Sequence, residues 1–137
     1  MRATQANASS GASFPAFKAL FEKEAKSDVN FQSFVAEAFD SPFIAFLAAL
    51  EARSGDPTEI ARHIVSVTND PGDKYTFEQL DDAIKAVMAG KKIHFVGATG
   101  DLNFSANGRV NALAYDIWQH QADGTAKVVK TIVYKPQ

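Results

Sequence analysis

Gly90-Lys91-Lys92-Ile93-His94-Phe95-Val96-Gly97-Ala98-Thr99-Gly100 is the stretch at which the chain changes period. Before it, apolar residues recur at helical spacing. Within it, a run of β-branched and aromatic residues is bounded by lysines and glycines, the pattern of a short strand that closes on a sharp bend. The residues up to Gly90 therefore read as helices and the remainder as strands. The fold class expected is α+β, with four helices followed by a short antiparallel strand region.

Working upstream, Gly90 is a left-handed stop for a helix striped by Leu80, Ile84, Val87 and Met88 and opened by the capping box Thr76-Phe77-Glu78-Gln79. Asp81 and Asp82 lie in its first turn, where carboxylates oppose the positive end of the macrodipole. Asn69-Asp70-Pro71-Gly72-Asp73 is a turn cluster. Ahead of it, Asp56-Pro57-Thr58-Glu59 opens a helix whose buried side is Ile60, Ile64, Val65 and Val67. A second helix is expected to start near Asp40-Ser41-Pro42, with Asp40 as cap and Pro42 in the opening turn, and to bury Phe43, Ile44, Phe46, Leu47 and Leu50 before Gly55. The first helix is capped by Ser13, carries Phe14, Phe17, Leu20 and Phe21 on one face, and ends in Lys26-Ser27-Asp28-Val29-Asn30. Residues 1–12, small and polar, read as a flexible lead-in.

Downstream, Gly97-Ala98-Thr99-Gly100 is too short to cradle a phosphate and opens no helix, so it reads as a strand-to-strand bend. Asn107-Gly108 marks a turn. Ala114 to His120 and Lys127 to Tyr134 read as a hairpin about Asp123-Gly124.

The chain has 137 residues, one domain's length, and 14 Lys+Arg against 16 Asp+Glu give a net charge of −2. That balance carries no basic footprint for nucleic acid or an anionic membrane. With 46% hydrophobic and 22% charged residues the composition is globular. The absence of cysteine excludes a disulfide scaffold, a zinc–thiolate site and a thiol nucleophile, and leaves the compartment open. No apolar leader opens the chain. Its most apolar window, Phe43 to Ala52, is about half the ~20 residues of a membrane span, so no span is expected.

Candidate chemistry is sparse. His63, His94 and His120 sit at no ligand spacing and read as solvated or capped surface histidines, so no metal is expected. Asp101-Leu102-Asn103 begins like a calcium loop but lacks the later ligands, and reads as a turn. No nucleophile elbow or acid–base pair stands out, and the chain is not expected to be an enzyme.

An ordered set of residues goes further. Phe39-Asp40-Ser41 stands as a Tyr/Phe-Asp-Ala segment does, Gly97 to Gly108 fits G-x-T/S-G-x-x-x-F-x-x-N/K-G, and Tyr115-Asp116-Ile117-Trp118 precedes the Asp123-Gly124 hairpin. No single motif is specific; their ordered combination, from about Ser13 to Lys130, resembles the C-terminal portion of a type I periplasmic substrate-binding protein of the branched-chain amino acid (Leu/Ile/Val-binding) ABC transporter family. The resemblance implies part of a two-lobed α/β periplasmic binding protein type I fold. Residues 13–114 would be a partial N-terminal-lobe segment and 115–137 a hairpin of the other lobe, with the interlobe crossover at Leu113, Ala114 and Tyr115. The full-length protein would be periplasmic, would bind an amino acid or similar small solute without a cofactor, and would present it to an ABC permease. Phe39 matches an aromatic near the ligand cleft in that family; ordinary core packing is the alternative. Tyr115 and Trp118 either pack the hairpin or line the cleft.

On that reading the chain is an incomplete clamshell, expected to lack the main ligand anchors and to leave its phenylalanine-rich helix faces uncovered. Burying each large apolar side chain is worth about 1.5–3 kcal/mol, so a homo-oligomer or a hairpin-swapped dimer is expected. Two other readings stay open: a stand-alone homo-oligomeric interaction module without solute binding, and a small α+β hydrolase.

Overall fold

Ile93, His94 and Phe95 are all buried, and they form the short strand around which the helices assemble. The structure, a computed structural model, describes residues 2–7, 11–29, 33–105, 107–110 and 113–134. Parts of the expected lead-in, Asn30 at the end of the first helix, Ala106 of the Asn-Gly turn and residues 135–137 lie outside the described residues. The elements run β1 (Arg2–Ala6), α1 (Phe14–Ala25), α2 (Val35–Ala52), α3 (Pro57–Thr68), β2 (Asp73–Tyr75), α4 (Leu80–Met88), β3 (Ile93–Phe95), β4 (Leu113–His120) and β5 (Ala126–Tyr134). A 3-10 turn, Phe77–Gln79, leads into α4. The chain is thus mixed α and β, with four helices and two small sheets among the described residues.

The two sheets differ in kind. Strands β2 and β3 pair in parallel, Asp73 to Ile93 and Tyr75 to Phe95, with α4 as the crossover between them. This corrects two expectations: the part before Gly90 is not all helical, and the strand after Gly90 is parallel to β2 and so not part of the antiparallel region, which is a separate sheet of order β1-β4-β5. Its strand β1 comes from the segment read as a flexible lead-in: Arg2 pairs with Gln119 and Ala6 with Tyr115. No local pattern announces β1, because its partner is more than a hundred residues away.

Helices start and stop for identifiable reasons. Asp56 accepts the N–H groups of Thr58 at 2.8 Å and Glu59 at 3.2 Å and so caps α3. Glu59 does not complete a capping box; it pairs with Arg62. The Thr76 N–H donates to Gln79 Oε1 at 3.3 Å ahead of α4. Gly90 ends α4 with φ +73°, and the Lys91 N–H closes back on the Ala86 carbonyl at 3.0 Å.

Helix α2 corrects the sequence reading. It begins at Val35, and Asp40 and Pro42 lie inside it. The Pro42 ring removes the N–H that would bond the Ala38 carbonyl. Both residues are exposed, so that carbonyl lies on the side open to water. Ser41 is satisfied within the helix, its hydroxyl donating to the Glu37 carbonyl at 2.7 Å.

Two apolar clusters hold the helical region together. The larger joins Ile44, Leu47 and Ala48 of α2, Val67 of α3, Ala83, Ala86 and Val87 of α4, and Ile93 and Phe95 of β3. The second gathers Phe17, Val29, Ala36 and Ala98, with Phe14, Phe21 and Phe39 against them. The expectation that the phenylalanine faces of the first two helices stay uncovered fails here. Phe17 packs on Phe39 at 4.9 Å between centroids, Phe39 on Phe43 at 5.0 Å, and Phe43 on Phe95 at 6.0 Å, an aromatic chain through the molecule. Among the described phenylalanines only Phe34 and Phe46 are exposed. No described residue of β1, β4 or β5 belongs to either cluster.

No helix among the described residues is long and apolar enough to cross a membrane. Leu47 is fully buried at the meeting of α2, α3 and β3. Leu47→Ala should therefore lower the unfolding free energy by about 2–5 kcal/mol, read as a shifted midpoint in chemical denaturation followed by circular dichroism.

Candidate functional site

The Gly97-Ala98-Thr99-Gly100 bend leaves the carboxyl end of β3, the side of a parallel strand pair at which open α/β folds place ligands. Gly97 and Gly100 bond each other in both directions at 3.0 Å, so the segment is the sharp turn that its glycines suggest. It is gripped from two sides. Buried Asp40 of α2 accepts the Ala98 N–H at 2.8 Å, the Thr99 N–H at 2.9 Å and the Thr99 hydroxyl at 2.6 Å. On the other side the Ser13 hydroxyl donates to the Gly97 carbonyl at 2.6 Å.

Two side chains read as helix caps thus act elsewhere. Ser13 occupies the N-cap position of α1 but makes no capping bond. Asp40 is an interior helix residue that binds a turn 58 positions away. Gly97 leaves it room, since a Cβ there would stand 2.2 Å from Asp40 Oδ2. Burial pushes the Asp40 carboxyl above the usual carboxylate range, opposed by the hydroxyl and amide donors of Thr99 and Ala98.

Phe39, the candidate ligand contact, is half-buried next to this clasp, with Phe17, Phe43 and Phe77 packed against it. Leu113, Ala114 and Tyr115, the expected interlobe crossover, are the first residues of β4, so the expected boundary at 114/115 falls inside one strand. There the Ala114 carbonyl accepts the Asn7 N–H at 2.8 Å, and Tyr115, 40% exposed, pairs with Ala6 and Ile132. Trp118 meets His120 edge-on at 4.8 Å.

Two polar clusters escaped the sequence reading. In the first, Glu51 of α2 holds His63 Nδ1 at 3.0 Å, the Ser66 hydroxyl at 2.9 Å and Lys92 Nζ at 3.0 Å. Burial pushes the Glu51 carboxyl up, and those donors outweigh it and hold the group below its ordinary range. Lys92 Nζ also reaches Ser66 Oγ at 2.6 Å. The cluster ties α2, α3 and the start of β3 together. In the second, His94 is not a surface histidine: it is fully buried between Asp70 and Asp101. Among the described residues no group of three or more His, Asp or Glu is placed to hold a metal ion. Asp101, at the start of the apparent calcium loop, is engaged by Lys74 and Asn103.

No family model matches the chain, and no match was found among curated proteins or solved structures.

Asp40→Asn keeps one acceptor but turns an N–H₂ toward a donor. We expect a folded variant that is less stable by about 1–3 kcal/mol. The folded-state carboxyl titrates above its unfolded value, so the folded state binds that proton more tightly, and acidification favours the wild type through this group. The wild-type margin over Asp40→Asn should widen as pH falls through the Asp40 titration, measured by urea unfolding at several pH values.

Proposed function

We propose that the chain is the C-terminal portion of a non-enzymatic solute-binding component of an ABC importer, for branched-chain amino acids or related small metabolites. The observation that carries this reading is the Asp40 clasp. Phe39-Asp40-Ser41 and Gly97-Ala98-Thr99-Gly100 belong to two of the separated segments on which the family resemblance rests, and they are bonded to one another through three donors to a single carboxylate. The parallel β2-α4-β3 unit, with this turn at its carboxyl end, suits a lobe that takes a ligand beside its strand ends. In the complete protein, closure of two lobes traps the solute, and the closed shape is what the permease meets.

The natural gene product tests this. Its intact mass should exceed the 14.8 kDa of this chain, and calorimetry of that product should register leucine, isoleucine, valine or a close relative. A natural product of 14.8 kDa that takes up none of these solutes refutes the proposal.

A second reading, a homo-oligomeric interaction module, is favoured by one observation. Val128, Val129, Ile132 and Val133 of β5 are all 43–60% exposed on a strand at the edge of its sheet. In that reading a second copy covers them, directly or by exchange of the hairpin. Sedimentation equilibrium should then give a dimer or larger species that Val128→Lys with Val133→Lys dissociates. A strictly monomeric wild type rejects it.

A further inference from the structure

His94 is the polar side chain that packing alone explains least. It sits at the middle of β3, paired in register with Lys74, and is fully buried. Its Nδ1 lies 3.1 Å from Asp70 Oδ1, at the connection between α3 and β2. Its Nε2 lies 2.6 Å from Asp101 Oδ1, just past the Gly97–Gly100 turn, yet out of line for a hydrogen bond and with no other partner.

We propose that His94 is a proton-operated clasp, whose second ring proton decides whether the Asp101 segment is bonded to β3. An ionised carboxylate only accepts, and a neutral imidazole has one N–H to give. Of the two contacts only Nδ1 to Asp70 Oδ1 is in line for a hydrogen bond, and the carboxylate can only accept there, so in the neutral ring Nδ1 carries the proton. In the neutral ring, the buried Nε2 then turns a lone pair toward a carboxylate oxygen 2.6 Å away. In the imidazolium, Nε2 gains a proton that Asp101 accepts once its carboxylate moves into line, and both carboxylates are then bonded by one ring. Charge agrees: Asp70, Asp101 and Lys74 sum to −1, which the second proton brings to zero.

The groups facing His94 are few. Asp101 Oδ2 accepts from Lys74 Nζ at 2.8 Å and its Oδ1 from Asn103 Nδ2 at 2.6 Å. Asp73 of β2 stands one place along, opposite Ile93. The helices packed on β3 bring Val67, Ala83, Ala86 and Val87 to it, all uncharged. Asp40 of α2 is bonded to Ala98 and Thr99 of the turn. The inference stands apart from the function proposed above.

The test is a titration of the intact chain carrying 15N-labelled histidine, followed by NMR between about pH 5 and 8, the range in which imidazole charge changes. Both His94 nitrogens should read as protonated on the acid side. Nε2 should lose its proton in one step, and the backbone amides of Asp101 and Leu102 should move with the same midpoint. Titration of His63 and His120 should leave those amides still. Asp101→Asn should break the coupling and lower the His94 midpoint. A ring that keeps one proton across the range, or one that titrates while the Asp101 amide does not move, overturns the proposal. The wild-type titration decides it alone should the variant not fold.

Discussion

A single carboxylate organises the helical region. Asp40 reaches out of α2 and takes both amides and the hydroxyl at the crown of the Gly97–Gly100 turn. A buried carboxylate without partners would cost several kcal/mol in desolvation, so its three donors are a condition of its being there. The consequences spread from this point. Gly97 must lack a side chain, and the Ser13 hydroxyl is drawn from its helix to the far side of the turn. Phe39, one residue before Asp40, is thereby fixed in the aromatic chain that links α1 to β3. The positions of α1, α2 and β3 all refer to one short turn.

What could be read in the sequence was what is decided locally. The stripe of α3, the Asp56 cap, the Gly90 stop and the Asp123-Gly124 hairpin each depend on neighbours within a few positions, and each stands where the pattern put it. So do Leu80, Ile84 and Val87 of the α4 stripe, whereas Met88, read into it, is 65% exposed. Asp40-Ser41-Pro42 has the composition of a helix start, yet it is a helix interior. The partner that overrides the local signal lies at Ala98 and Thr99, and no periodicity in either segment points to the other. His94 was misread for the same reason, since a histidine in a three-residue strand gives no sign of which flanking connections will bring carboxylates to it. Strand β1 is the extreme case: a small polar segment acquires structure only from pairing with β4. For the candidate site, the bend and Phe39 were legible as residues, and their union through Asp40 was not.

The two sheets are stabilised differently. The β2–β3 pair is covered by α3 and α4 and contributes to the main core. The β1-β4-β5 sheet contributes no described side chain to either core, and so rests on its ladder and on cross-strand pairs, each worth about 0.2–1 kcal/mol. The row Ala3–Trp118–Val128 and the bonds of Asn7 and Thr131 to Asp116 are of that kind. Lys127 and Lys130 stand on the outer strand, where long cations discourage indiscriminate edge pairing. The irregular register between Ile117 and Trp118 adds twist to the same end.

The pairing of Asn7 with Asp116 spans 109 positions, and so does that of Ala6 with Tyr115. During synthesis the ribosome releases residues 2–7 long before β4 exists. At about 5–20 residues per second the early segment waits roughly 5–20 s for its neighbour. The helices and the β2-α4-β3 unit, whose partners are nearer in the chain, have time to assemble first. The three-stranded sheet is therefore a late arrival in the life of each molecule, added to a body already built.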